Sequence, residues 1–292
     1  MTVADRQHGA AICLDGEALA ARLRAEISLE VRDLAARGIT PLLATVLVGD
    51  DPASASYIAR KHQDCAETGI AARDIRLGSD ISTEMLSKTI DTLNRDPTVH
   101  GLMVQLPLPG HLDGDDSIEA VLPVKDIDGL HPFNLGRLVS GKPRLPPCTP
   151  AGILALLQHH QVPLTGRRVA ILGRGALVGR PLAMLLSQRG IDATVTLLHS
   201  KSVDVAAELR RADIVIAALG AAGFVTPDMV KPGAALVGVG ISYTEDGRMV
   251  SDIDEACRTI AGWMTPPHGS VGALTRAMLL KNLVTCARAG AR

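Results

Sequence analysis

The sequence predicts an α/β protein of two domains, both built on parallel strands, the second of Rossmann type. Three observations carry this. The chain has 292 residues, about twice the ~150 residues of a common domain. Short apolar runs alternate with helical periodicity in both halves, the signature of parallel sheets covered by helices. A glycine-rich strand-to-helix turn, Gly173 to Gly179, opens the second series.

Each element follows from local signals. A first helix is expected from about Asp15 to Arg37, because Leu19, Leu23, Ile27, Val31 and Leu34 recur at helical spacing between a capping Asp15 and a stopping Gly38. Leu42 to Val48 reads as a buried strand, Ser54 to Thr68 as a helix closed by Gly69, and Ile75 to Leu77 as a weak strand. A helix over Thr83 to Leu93 and an apolar strand over Gly101 to Leu106 complete the first series. Pro107 to Pro150 reads as a loop region with seven prolines between Pro107 and Pro147. Thr149 is placed to cap a helix whose first residue is Pro150.

The domain boundary is therefore set near Cys148, giving a first domain of residues 1–147 and a second of 148–273. The second series has strands over Arg167 to Leu172, Thr194 to Leu198, Asp213 to Ala217 and Ala235 to Val239. Helices are expected over Val178 to Gln188 and Val203 to Arg210. A final helix, about Val271 to Ala289, has no strand after it. It is expected to cross back, so that 274–292 pack on the first domain.

Composition narrows the function. A hydrophobic fraction of 47% suits two buried cores, and the net charge of −1 lacks the basic footprint of a nucleic-acid binder. Two Tyr, two Phe and one Trp are too few for base-stacking platforms. The five cysteines are odd in number and lack C-x-x-C spacing, which argues against a disulfide framework or a zinc site. Met1 to Ala10 has no apolar signal core, and no run reaches the ~18 to 20 apolar residues of a membrane span. A cytoplasmic protein without a membrane or nucleic-acid partner is expected.

The turn in RRVAILGRGALVGRP places Gly173 and Gly175 where a strand becomes a helix, with Gly179 just inside it. Small residues there let backbone amides approach a pyrophosphate, whose charge the helix N-terminus favours. The spacing is one residue longer than the standard fingerprint, and a ligand-free tight turn is the alternative. An NAD enzyme usually carries an acid at the end of the next strand. Here that end reads His199-Ser200-Lys201. Arg174, Ser200 and Lys201 suit a 2′-phosphate, which favours NADP, although solvated surface residues would look the same.

Tyr57 and Lys61 are one helical turn apart and share a face. A lysine in a partly apolar setting has its pKa lowered and can transfer protons. Read alone, the pair also describes an exposed lysine beside a packing tyrosine. Gln105 stands near the end of an apolar strand, where ligands gather in open parallel sheets. Its amide can bond an ammonium or a substrate carbonyl, or simply be satisfied locally. Asp126 and Asp128, in PVKDIDG, could accept paired bonds from an amino-pyrimidinone ring or form a turn.

Together these motifs resemble the bifunctional methylenetetrahydrofolate dehydrogenase/methenyltetrahydrofolate cyclohydrolase family. The matches are VGDDPASASYIARK, GLMVQLPLPG, PVKDIDGLHPFNLGRL, PPCTPAGI, GRGALVGRP, ADIVIAALG and VGALTRAMLLKN, which span nearly the whole chain in order. The resemblance implies a folate-binding catalytic domain, an NADP-binding domain, a cleft between them and a homodimer. It implies oxidation of 5,10-methylenetetrahydrofolate with NADP and hydrolysis of the methenyl product to 10-formyltetrahydrofolate, without a metal. Lys61 would be the principal catalytic group, with Tyr57 lining the folate pocket and Gln105 tuning the lysine. Asp128, Gly269 and Val271 would bind substrate. Gly173, Arg174, Gly175, Ser200 and Ile241 would contact NADP.

Several positions depart from the family pattern. Gly175 stands where a serine is usual and Gly238 where a carboxylate is usual. His268 and Ser270 bring bulk and polarity to a loop that usually carries Pro and Gly beside folate and nicotinamide. These departures bear on the dehydrogenase step more than on the cyclohydrolase residues. The alternatives are a specialised paralogue with mainly cyclohydrolase activity and a non-catalytic folate- or nucleotide-binding protein.

Overall fold

The computed structural model describes residues 11–243 and 246–290. In chain order the elements are β1 (Ile12–Cys13), α1 (Gly16–Ala36), β2 (Leu42–Val48), α2 (Pro52–Thr68), β3 (Ala71–Leu77), α3 (Thr83–Arg95) and β4 (Gly101–Val104). Then come α4 (Gly114–Glu119), α5 (Pro132–Val139), α6 (Cys148–His159), β5 (Arg168–Leu172), α7 (Gly179–Leu186), β6 (Thr194–Leu198), α8 (Val205–Arg211) and β7 (Ile214–Ala217). The chain continues through β8 (Ala235–Gly238), β9 (Ile241–Tyr243), β10 (Met249–Ser251), β11 (Trp263–Met264) and α9 (Val271–Gly290).

The chain divides into two compact units. One combines the stretch up to Leu19 with Thr149–Leu274, and the other combines Ala20–Cys148 with the stretch from Thr275 onward. The first unit holds a sheet in the order β1-β11-β8-β7-β5-β6. Every neighbouring pair in it is parallel. Its central strand β7 is buried along its whole length, as covering helices on both faces require. One face of this sheet packs Leu172, Val215, Leu236 and Met264 into a continuous core.

The other unit holds a parallel sheet in the order β3-β2-β4. Central β2 is almost wholly buried, whereas edge strand β3 alternates between half-buried and exposed residues. Helix α3 starts at Ser82, whose hydroxyl accepts from the Met85 amide at 3.2 Å, and buries Leu86, Ile90 and Leu93 on the sheet. The last helix does pack on this unit. Arg276 Nε of α9 donates to Asp64 Oδ2 of α2 at 2.6 Å, and Asn282 Nδ2 donates to the carbonyls of Ile127 at 2.8 Å and Pro146 at 3.0 Å.

Several expected elements shift. The loop region from Pro107 to Pro150 contains α4 and α5. Each is too short for a clear period, but each has a cap: Asp113 accepts from the amides of Asp115 and Asp116, and His131 Nδ1 accepts from Phe133 ahead of Pro132 at the helix start. The strand expected to reach Leu106 ends at Val104, leaving Gln105 just beyond it, with its amide still bonded to Val46 O at 2.9 Å. Strand β3 begins at Ala71 because it pairs with β2 over seven residues. Strands β1, β9, β10 and β11 escape periodicity because they have only two or three residues.

Candidate active site

Helix α2 positions the first candidate group. Asp51 accepts from the Ser54 amide at 2.8 Å and Pro52 occupies the first turn, so the helix starts two residues before the expected Ser54. Its buried stripe runs Ser54, Ile58, Lys61, Cys65 and Thr68, the spacing of a helix face turned to a core. Lys61 thus occupies a position where an apolar side chain is usual. It is 3% exposed, which removes the reading of an ordinary solvent-facing lysine.

The Lys61 ammonium meets the tip of β4. Its Nζ donates to Gln105 Oε1 at 3.3 Å and contacts Met103 Sδ at 3.2 Å. Residues 103 and 105 point to one side because strand side chains alternate. Gln105 is 9% exposed, and its Nε2 donates to the Leu106 carbonyl at 2.6 Å. That second bond fixes which end of the amide faces the lysine. Tyr57, one turn earlier, lays its ring 4.4 Å from the ammonium, within cation–π range.

The electrostatics oppose one another. Burial lowers the Lys61 pKa, while the Asp128 carboxylate raises it, and burial wins. Burial raises the Asp128 pKa, with Lys61 pulling it down and Asp126 pushing it up. The Tyr57 hydroxyl is pushed up to about 12 by burial and then by Asp128 and Cys148. It stays protonated at neutral pH. The arrangement therefore offers one amine biased toward neutrality, one neutral phenol and one carboxylate.

The two aspartates of PVKDIDG have different roles. Asp126 is buried, and its carboxylate accepts from the amides of Gly129 at 3.0 Å, Leu130 at 3.3 Å and His131 at 2.9 Å, and from Asn134 Nδ2 at 2.8 Å. It is the turn-former. Asp128 is the half-buried member. Its carbonyl accepts from the Cys148 amide at 3.2 Å, and Cys148 Sγ donates to Ile127 O at 3.1 Å. Met103, Asp64 with Arg276, and Cys148 are participants that sequence reading passed over. Asp64 and Arg276 lie 212 residues apart, so no local pattern links them.

The other unit carries the glycine turn. Gly173 has φ +106°, and a Cβ there would lie 2.5 Å from Ala218 O, so only glycine fits. At Gly175 a Cβ would meet nothing within 4 Å. The absent serine is therefore not excluded by packing. Helix α7 starts after Val178 with no side-chain cap bond; its Arg180 amide is bonded to Gly175 O at 3.1 Å and its Pro181 has no N–H to offer. Ser200, Arg174 and Lys201 are exposed. The nearest following acid, Asp204, caps α8 by accepting from Ala207 N at 3.0 Å. These features fit a dinucleotide whose ribose is read without a carboxylate.

The remaining candidates also lie in or at the edge of this unit. Ile241 opens β9 and is 47% exposed. Gly269 is half-buried and Val271 is buried at the start of α9. His268 is exposed. Ser270 is buried and its hydroxyl donates to Leu14 O at 2.9 Å. Its polarity is thus spent inside the protein rather than added to a ligand surface. At Gly238 a Cβ would collide with Ser251 Oγ. The neighbouring serine stands where a larger side chain at 238 would need to be.

Residues 14–128 match the family described as tetrahydrofolate dehydrogenase/cyclohydrolase, catalytic domain, and residues 147–291 match its NAD(P)-binding domain. Solved structures agree along nearly all of the chain. The bifunctional methylenetetrahydrofolate dehydrogenase/cyclohydrolase of Campylobacter jejuni is 40% identical with a TM-score of 0.94, covering 96% of this chain and 99% of that one. The Trypanosoma brucei dehydrogenase-cyclohydrolase, solved with NADP cofactor and an inhibitor, is 35% identical with a TM-score of 0.92, covering 97% and 99%. The Thermoplasma acidophilum bifunctional enzyme is 32% identical with a TM-score of 0.89, covering 95% and 98%.

Proposed function

The chain belongs to the tetrahydrofolate dehydrogenase/cyclohydrolase family, and from that membership we propose how its own residues perform two consecutive reactions. The protein is an NADP-dependent enzyme of folate one-carbon metabolism. It oxidises 5,10-methylenetetrahydrofolate to the methenyl form and hydrolyses that product to 10-formyltetrahydrofolate. The observation that carries the assignment of roles is the buried Lys61 amine 3.3 Å from Gln105 Oε1.

Lys61 is the proton-transfer group. As water adds to the electrophilic methenyl carbon, the amine accepts the proton released when the C–O bond forms. It returns a proton to N5 as the C–N5 bond breaks, and the hydroxyl on the same carbon gives up its remaining proton to solvent as it becomes the formyl C=O. Burial favours the neutral amine needed for the first transfer. Gln105 holds that amine by its oxygen, and Tyr57 supplies a ring platform rather than a base, since its hydroxyl keeps its proton. Asp128 accepts from the pterin ring, and Gly269 and Val271 border the folate.

Gly173, Arg174, Gly175, Ser200 and Ile241 would hold the dinucleotide, with the glycine turn suited to its phosphates and Arg174 and Ser200 suited to its 2′-phosphate. When bound, NADP supplies the acceptor for the hydride leaving the methylene carbon. The protein's part in that step is alignment, at separations of ~3 to 3.5 Å between reacting atoms.

No helix among the described residues is long and apolar enough to cross a membrane. A cytoplasmic homodimer acting on free tetrahydrofolate derivatives is the setting we assign, in keeping with the five free thiols and testable by light scattering. The activity itself is tested with purified protein, 5,10-methylenetetrahydrofolate, and NADP or NAD in parallel. Methenyl absorbance should grow faster with NADP, and added methenyltetrahydrofolate should decay faster than in buffer. Folded protein that does neither would overturn the assignment.

A further inference from the structure

Asp252 follows β10 and is 0% exposed. Its Oδ2 accepts from the amides of Leu219 at 2.7 Å and Gly220 at 3.2 Å, and its Oδ1 accepts from Ala221 at 2.7 Å. No Lys or Arg pairs with it among the described residues. Three consecutive amides converging on one anion form a nest, the concavity that often holds a phosphate. Gly220, with φ +68°, gives the loop the turn that such a nest needs. Here the protein's own carboxylate fills it.

The loop so held leaves the carboxyl end of β7. Ala218 N is bonded to Leu172 O at 2.9 Å on the near side, and Gly223 N and Val225 N are bonded to Ser251 O at 2.9 Å and Asp252 O at 3.0 Å on the far side. Between those anchors the Asp252 carboxylate holds the three amides of residues 219–221, and Ala221 O also accepts from Phe224 N at 3.3 Å. The same oxygen fills the space where a side chain at Gly240 would begin, and Gly240 N is bonded back to Ala217 O at 3.2 Å. The strand order reverses between β5 and β7, so the carboxyl end of β7 borders the crevice where open parallel sheets bind dinucleotides. Leu219, whose amide the carboxylate holds, and Ile241, next to Gly240, both carry exposed apolar side chains.

We propose that Asp252 is a positioning residue for NADP: it presets the 219–221 loop, so that cofactor meets a rigid wall and spends no binding energy on ordering it. The inference rests on the dinucleotide reading of this unit. Its physical basis is preorganisation, in which a loop fixed before binding costs nothing to fix during binding.

The test begins with the unaltered enzyme. Hydrogen exchange at the amides of residues 219–221 should be slow before NADP is added and change little afterwards. Fast exchange that slows only with NADP would overturn the proposal. Asp252→Asn keeps the shape but turns one acceptor oxygen into a carboxamide NH2, a donor facing a backbone N–H donor. Gly240→Ala crowds the carboxylate and the Gly220 amide it holds, breaking the same contact from the other side. Each folded variant should show NADP KM and Kd raised by roughly tenfold or more, with dehydrogenase kcat within about threefold. Parental NADP affinity in a folded variant, or a fall in kcat alone in step with the folded fraction, would reject it. If the unaltered enzyme neither bound NADP nor formed methenyl product, the family-based function would fail instead, and the two failures are thereby separated.

Discussion

Gln105 faces Lys61 with its oxygen, at 3.3 Å, because its nitrogen is bonded to the Leu106 carbonyl at 2.6 Å. A backbone carbonyl thus decides the orientation of the amide, and the amide decides where the lysine points. The buried amine has a preset acceptor, and burial outweighs the nearby carboxylate in setting its pKa.

Lys61→Met is expected to abolish most methenyl hydrolysis, by a factor on the order of 100 to 10,000. The substitution removes a charge whose burial is unfavourable, so thermal stability should hold or rise. Folded-state depression of the lysine pKa means that the unfolded chain binds more protons between the lowered value and the ordinary 10.5. Stability therefore rises with pH across that window. Urea unfolding at stepped pH should show the rise in the parent and its loss in the variant.

Gln105→Glu should move the hydrolysis profile to higher pH. A carboxylate at 3.3 Å favours the ammonium and raises the Lys61 pKa. The neutral amine then becomes scarcer at pH 7 and returns only in more alkaline solution. A rate profile that keeps its position would show that the Lys61 protonation state does not limit turnover.

Asp126→Ala and Asp128→Ala should part company. The first strips the acceptor from three backbone amides and Asn134, so about 3 kcal/mol or more of stability should go. The second removes a carboxylate whose burial is unfavourable. Its stability should be unchanged or higher, while folate affinity falls by ~1.5 to 3 kcal/mol. Calorimetry of folate binding beside thermal melts reads both.

Gly238→Ala should destabilise by about 1 to 3 kcal/mol, because the new methyl meets Ser251 Oγ. Adding Ser251→Gly should recover most of that loss, a non-additivity expected only of groups in contact. A double variant whose stability equals the sum of the two single effects would show that the two sites do not share space.

How much of this was written in the chain itself differs by scale. The α/β order, the extents of β2 and β6, the Gly69 end of α2 and the turn at Gly173 are legible because periodicity, caps and glycine conformations act within a few residues. The family motifs likewise name Lys61, Gln105 and Asp128 without saying how they meet. Short α4 and α5 were missed because one or two turns give too few residues for a period to emerge. Tertiary structure alone decided that Lys61 lies on a buried stripe, that Asp126 rather than Asp128 accepts the amides of the turn, and that Ser251 takes the space beside Gly238. It also joined Asp64 to Arg276 across 212 residues. Desolvation and packing depend on neighbours brought together by the whole fold, and spacing along the chain carries no record of them.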